Sequence, residues 1–187
     1  MLTYLYDSNP PPEGVYEGKR ALTTQNYMEA NVKNGVQHEG STLLVGVSGG
    51  ASNDTIFLTG ALPVSLKARD IGYSGIGVKG SIYESPIYTG GSVAEYQNAS
   101  AINPVIGLSQ IIVGATISDD GDLIFAPTYS IGNQSNQGKG TSSSIIGNEH
   151  ILKPNTAYLF RLTSLDTQSQ DISSYLSWYE GELDLPI

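Results

Sequence analysis

The chain has 187 residues, nine Lys+Arg against eighteen Asp+Glu, a formal charge of −9 and no cysteine. Disulfides and cysteine-held zinc, iron–sulfur or thiol chemistry are thereby excluded, and the missing thiols are compatible with folding in a reducing cytosol. So acidic a surface repels phosphate backbones; nucleic-acid binding would need a local basic patch, and the densest basic stretch, Lys67, Arg69 and Lys79, is interrupted by Asp70.

Residues 1–20 read as an extended arm, because Asn9-Pro10-Pro11-Pro12 favours polyproline geometry. The opening MLTYLYDSNPPPEG has neither the basic region nor the apolar run of a signal peptide. No window approaches the roughly 18 consecutive apolar residues of a membrane helix, so no membrane partner is expected. Residues 22–37, LTTQNYMEANVKNGVQ, hold the only run of helix formers, with Thr24 as a candidate cap and Asn34-Gly35 as a stop; an extended reading is equally open.

From Thr42 the pattern is strand and turn. Candidate strands are Thr42–Val47, Asp54–Thr59, Val64–Ala68, Gly77–Tyr83, Ser92–Tyr96, Gly107–Ile117, Asp122–Ala126, Ala157–Ser164 and Ser173–Glu180, punctuated by glycines. Asp120-Gly121 between apolar runs marks a tight hairpin. Residues 130–147 form a polar loop of low complexity. In the last strands Tyr158, Phe160 and Leu162 alternate with Leu159, Arg161 and Thr163; Ile172, Leu176 and Trp178 share a face opposite Tyr175 and Tyr179. The expected fold is all-β: an antiparallel β-sandwich or jelly roll over residues 21–181, with an N-terminal arm and a C-terminal tail at 182–187.

Several motifs look chemical and lack their context. Gly46-Val-Ser48-Gly-Gly50 matches a nucleophile elbow, but a loop follows where the mechanism needs a helix, and His150 is the only downstream histidine. Gly75-Ile-Gly77-Val-Lys-Gly80 matches a dinucleotide fingerprint but runs into a strand. Asp119, Asp120 and Asp122, or Asp166 with Asp171, could hold a loose calcium ion; turn aspartates capping their own backbone are the ordinary alternative. His38-Glu39 and Glu149-His150 lack the helical spacing of a zinc motif. No catalytic residue, cofactor or metal ligand is therefore expected. Of the twelve tyrosines, Tyr83 and Tyr96 read as the rim of a β core; Tyr73 and Tyr88, beside Gly72 and Gly90-Gly91, are expected in exposed loops as candidates for surface recognition.

Taken together, Tyr27-Met-Glu-Ala-Asn-Val-Lys-Asn-Gly35, Ile56-Phe-Leu-Thr-Gly60, Pro63-Val-Ser-Leu-Lys-Ala-Arg69 and Ile82-Tyr-Glu-Ser-Pro-Ile-Tyr-Thr-Gly-Gly91 carry a resemblance. So do Gly147-Asn-Glu-His-Ile-Leu-Lys-Pro-Asn-Thr156, Tyr158-Leu-Phe-Arg-Leu-Thr163 and Leu176-Ser-Trp-Tyr-Glu180. The chain resembles tailed-bacteriophage virion structural proteins. The resemblance implies a β-rich, non-enzymatic capsid or tail subunit of decoration or head-fibre type, assembled in the host cytoplasm with capsid or tail proteins and with copies of itself, a trimer being favoured. Extended ends suit such contacts, since an arm can add a strand to a neighbour's sheet edge; Leu2, Tyr4, Tyr6, Leu183, Leu185 and Ile187 are the expected interface residues. The alternative is a receptor- or glycan-binding surface built on Tyr73 and Tyr88. A hydrolase would require Ser48 and His150 within hydrogen-bond reach.

Overall fold

The structure, a computed structural model, describes residues 27–132 and 149–181. The expected arm with Leu2, Tyr4 and Tyr6, the Thr24 cap, the tail with Leu183, Leu185 and Ile187, and most of the polar loop lie outside the described residues.

The chain opens with helix α1 (Tyr27–Lys33), which stops at Asn34-Gly35 as anticipated; Gly35 is left-handed at φ 71°. Strands follow: β1 (Gln37–Val47), β2 (Ser52–Leu58), β3 (Val64–Tyr73), β4 (Gly77–Glu84), β5 (Ile87–Thr89), β6 (Ser92–Ala94) and β7 (Gln97–Asn98). Then come β8 (Gln110–Val113), β9 (Thr116–Asp119), β10 (Asp122–Leu123), β11 (Thr128–Ile131), β12 (His150–Leu152), β13 (Ala157–Ser164) and β14 (Gln170–Glu180). The fold is all-β. One sheet runs β12-β3-β14-β1-β7, the other β10-β4-β13-β2-β8-β6 with β11 also on β4, and β5 pairs with β9 apart from both; every pairing is antiparallel.

The sheets stack as a sandwich. Phe57 and Phe160 of the second sheet lie with ring centres 5.5 Å apart, and Phe57 meets Trp178 of the first edge-on at 5.2 Å. Val64, Leu66, Ile82, Ile111, Leu152 and Tyr158 complete this cluster; a second, smaller one holds Ile71, Tyr73, Val78 and Ile172. The outer face of the second sheet is covered as well. Tyr83, Leu159, Ile56 and Ile112 form a cross-strand row, and Leu159 and Ile56 are fully buried although their neighbours Phe160 and Phe57 face the interior.

Three sequence expectations are corrected. Gly107–Ile117 is not one strand: it breaks into β8 and β9 at Gly114, whose φ of 69° leaves the extended region. Asp120-Gly121 makes a turn, with Gly121 N donating to Asp119 Oδ1 at 2.9 Å, but no hairpin, since β9 pairs with β5 and β10 with β4. A type I′ turn needs positive φ at both centres and a type II′ turn at the first, and of Asp120 and Gly121 only the second residue has it. Third, Ser130 and Ile131, read as loop, belong to edge strand β11.

Candidate functional site

Tyr73 is the last residue of β3, paired with Ile172, and is 7% exposed in the second core cluster. This corrects the expectation of an exposed recognition tyrosine. β3 runs five residues further than its apolar alternation suggested, and the Tyr73 ring ends inside. Tyr88 is half-buried in β5 opposite Ile117. Tyr83 and Tyr96 are half-buried, as core-rim residues should be.

The elbow-like Ser48 sits in the turn between β1 and β2, where its carbonyl accepts from Ala51 N at 3.0 Å. His150 lies in β12, three strands from β1 in the same sheet, a separation of about 14 Å at the usual strand spacing. The two make no catalytic pair. Among the described residues no group of three or more His, Cys, Asp or Glu could hold a metal. Asp166 instead caps its own turn, accepting from Thr167 N, Gln168 N and Ile76 N, and Asp171 accepts from Gly46 N. Among the described residues no helix is long and apolar enough to cross a membrane.

The chemically densest cluster is one that the sequence reading missed. Glu180, 6% exposed, accepts from Trp178 Nε1 at 2.9 Å, Leu108 N at 2.6 Å and Ser109 N at 3.2 Å. The Tyr96 hydroxyl donates to Ser109 O at 2.9 Å; its ring meets Trp178 at 4.9 Å and His38 at 5.6 Å. Burial, then the Glu180 charge, pushes the Tyr96 phenol up to about 12. Burial lowers the His38 pKa while Glu180 pulls the other way. The signal was available: Glu180 is in phase with Ile172, Leu176 and Trp178, so an acid on the apolar face must find donors. Its three N–H donors come from a ring and a backbone, and Gly107 packs over the cluster; a Cβ there would stand 3.1 Å from both Glu180 Oε1 and His38 Cε1. With its lone pairs so occupied and the space above it filled, this carboxylate acts as an anchor.

What it anchors is the segment 99–108, which presents Ile102, Val105, Ile106 and Leu108, with Ile102 97% and Ile106 89% exposed. The other end of this segment is tied to Gly35 O by Val105 N at 3.0 Å and Asn98 Nδ2 at 2.6 Å. A second exposed apolar feature is β1. Among the described residues β7 pairs only with His38 and Glu39, leaving Gly40–Val47 without a neighbour on that edge, and Leu43 and Val45 there are 65% and 76% exposed.

A cavity of about 280 Å³ separates the two core clusters. Its walls include Ile82, Ile111 and Phe160 from one cluster and Ile71, Leu44 and Leu162 around the other. Between them the inward positions carry small or polar residues, Gly40, Thr42, Ser174, Gly80 and Thr55, which leave the gap unfilled. Ser41, Thr42, Glu95, Val113 and Gly114 line it and are exposed, so it opens to solvent between the β1 edge and β8.

No family model matches the chain, and neither does any curated protein or solved structure.

Proposed function

We propose that the protein is a non-enzymatic structural subunit of a tailed-phage virion, of capsid-decoration or head-fibre type, working through repeated contacts between copies of itself and with shell or tail proteins. The virion placement rests on the sequence resemblance. The observation that supports assembly is the β1 edge: among the described residues, 40–47 have no partner strand on the β7 side, and Leu43 and Val45 there are exposed. An edge of this kind is a template for strand addition, and backbone hydrogen bonds from a second copy would satisfy it. The anchored 99–108 segment adds four exposed aliphatic side chains to the contact surface.

Light scattering on the purified protein tests the reading. The wild type should have the mass of a symmetric oligomer, a trimer being favoured, and Leu43→Lys with Val45→Lys should shift it to monomer with an unchanged far-ultraviolet spectrum. A wild-type monomer at the high concentrations typical of assembly would overturn it.

A further inference from the structure

The cavity between the sheets carries a charge that its surroundings do not explain. Arg69 lines it, and its Nη2 donates to Thr128 Oγ1 at 2.7 Å. No carboxylate bonds to this guanidinium among the described residues, whereas Lys33, Lys67, Lys153 and Arg161 each form an ion pair. Burial lowers the Arg69 pKa, with no acid opposing the shift, and Arg69 in turn helps lower that of His150. A guanidinium has five N–H donors in a planar fork, and one bond to a hydroxyl leaves most of that fork free. Arg69 is half-buried, and a charge drawn out of water is ordinarily paired.

The chain is shaped to hold this group inside. A bulge in β3 opposite Ser177 and Trp178 inserts Lys67, so the inward positions change from Val64 and Leu66 to Arg69, Ile71 and Tyr73. Gly80 on the facing sheet makes room: a Cβ there would lie 3.0 Å from Ile71 Cδ1 and 3.3 Å from Arg69 Nη2. The two acids that line the cavity do not serve as partners, for Asp54 is held by Arg161 at 2.7 Å and 2.8 Å and Glu95 sits exposed at the rim. From the β1 mouth to Arg69 on β3 the cavity crosses two strand separations, about 10 Å, between aliphatic and phenyl walls.

We infer that this cavity is a binding site for a small apolar monocarboxylate, an acyl chain of medium length whose carboxylate meets the Arg69 fork at the β3 side and whose chain lies between Phe160, Leu162, Ile71 and Leu176. The planar guanidinium matches a carboxylate with two parallel N–H···O bonds, and the walls take up the apolar body as in other ligand pockets. The assignment does not rest on the assembly reading, and its mouth shares the β1 edge with the proposed contact. A chain-terminal carboxylate on an apolar residue carries the same chemistry, and the test separates the two.

Calorimetric titration of the full-length protein with octanoate, octanol and N-acetyl-leucyl-isoleucine provides that test. Octanoate should bind in a one-to-one ratio, at least tenfold tighter than octanol and tighter than the dipeptide. Arg69→Met, which keeps the apolar stem, should weaken octanoate roughly tenfold or more and leave octanol within twofold. Thr42→Trp, which fills the mouth and leaves Arg69 in place, should weaken both. No octanoate binding to the wild type, equal binding to Arg69→Met, or preference for octanol would overturn the assignment, and tighter binding of the dipeptide would overturn its acyl half.

Discussion

Trp178 and Glu180, two residues apart on the inward face of β14, are joined by a hydrogen bond of 2.9 Å from the indole Nε1 to the carboxylate Oε1. The largest apolar side chain of the core is thus satisfied at its one polar atom by an acid that also receives the Leu108 and Ser109 amides. The core of the sandwich and the exposed 99–108 segment are therefore one hydrogen-bonded unit.

Replacing Glu180 by Gln keeps the shape and removes the charge. Three charge-assisted hydrogen bonds to its two oxygens weaken, and the amide NH2 is brought against N–H donors. Unfolding in urea should show a loss of about 2–3 kcal/mol. Because Glu180 contributes, after burial, to raising the Tyr96 phenol to about 12, the ultraviolet titration of that tyrosine should move towards its ordinary value of 10.0 in the variant. An unmoved Tyr96 titration with intact fold would remove Glu180 from this role.

Acid should destabilise the protein in two steps. His38 and His150 both have folded pKa values below the ordinary 6.5: burial comes first in each, opposed by Glu180 at His38 and reinforced by Arg69 at His150. The unfolded chain then binds protons first, so stability is full above 6.5 and falls as pH drops from 6.5 through the folded values. Glu149 gives the second step. Burial raises its pKa, but hydrogen bonds from Lys67 and Ser65 outweigh that and hold it below 4.5, so its contribution is lost as pH falls from 4.5 through its folded value. Calorimetric Tm values at pH 8, 6.5, 5.5 and 4 follow both, and His38→Gln with His150→Asn should flatten only the first. A Tm that rises on acidification from 6.5 would contradict the first step.

The strands that were legible in the sequence are those whose alternation survives to both ends. Ala157–Ser164 matches β13 to the residue, because Tyr158, Phe160 and Leu162 hold one phase and Leu159 and Arg161 the other without a break. The stop at Asn34-Gly35 was legible because the left-handed turn there favours glycine. Arg69 was not: strict period-2 reading from Val64 and Leu66 puts Ala68 and Asp70 inside and Arg69 outside, and the single-residue bulge at Lys67 reverses this. The short edge strands β11 and β12 have too few residues for a period to be read, and their pairing with β4 and β3 is a property of the assembled sheets. Nor could adjacency in the chain reveal that β13 and β14 enter different sheets.

Arg161 binds the turn after β9 to the second sheet. It meets Asp54 on β2 and Asp120 in that turn, each through two N–H···O contacts, and stands 5.7 Å over the Tyr83 ring. Asp54, ahead of Asp120, raises the already high Arg161 pKa. These groups are partly exposed, so solvent screening limits each pair to about 1 kcal/mol. A double-mutant cycle with Asp120→Asn and Arg161→Met should return a coupling of that size, and hydrogen exchange in residues 116–123 should speed up in either single variant. Zero coupling with unchanged exchange would show that the turn is held by its apolar contacts.

Gly35 offers the test of whether the 99–108 segment is held from its other end too. Its φ of 71° disfavours any side chain, and a Cβ would overlap the Asn103 carbonyl oxygen. In Gly35→Ala the left-handed backbone adds about 1–2 kcal/mol of strain. The Asn103 backbone must also withdraw, pulling on the bonds from Val105 N and Asn98 Nδ2 to Gly35 O. The expected outcome is an unfolding free energy lower by about 3 kcal/mol, with faster exchange at the Val105 amide while the amides of β13 stay protected. If the exposed aliphatic residues of this segment serve assembly, oligomer mass should fall in the same variant under conditions where the sandwich remains folded. An oligomer that survives with the Val105 amide freely exchanging would place the contact elsewhere, and would leave the β1 edge as the surface to test.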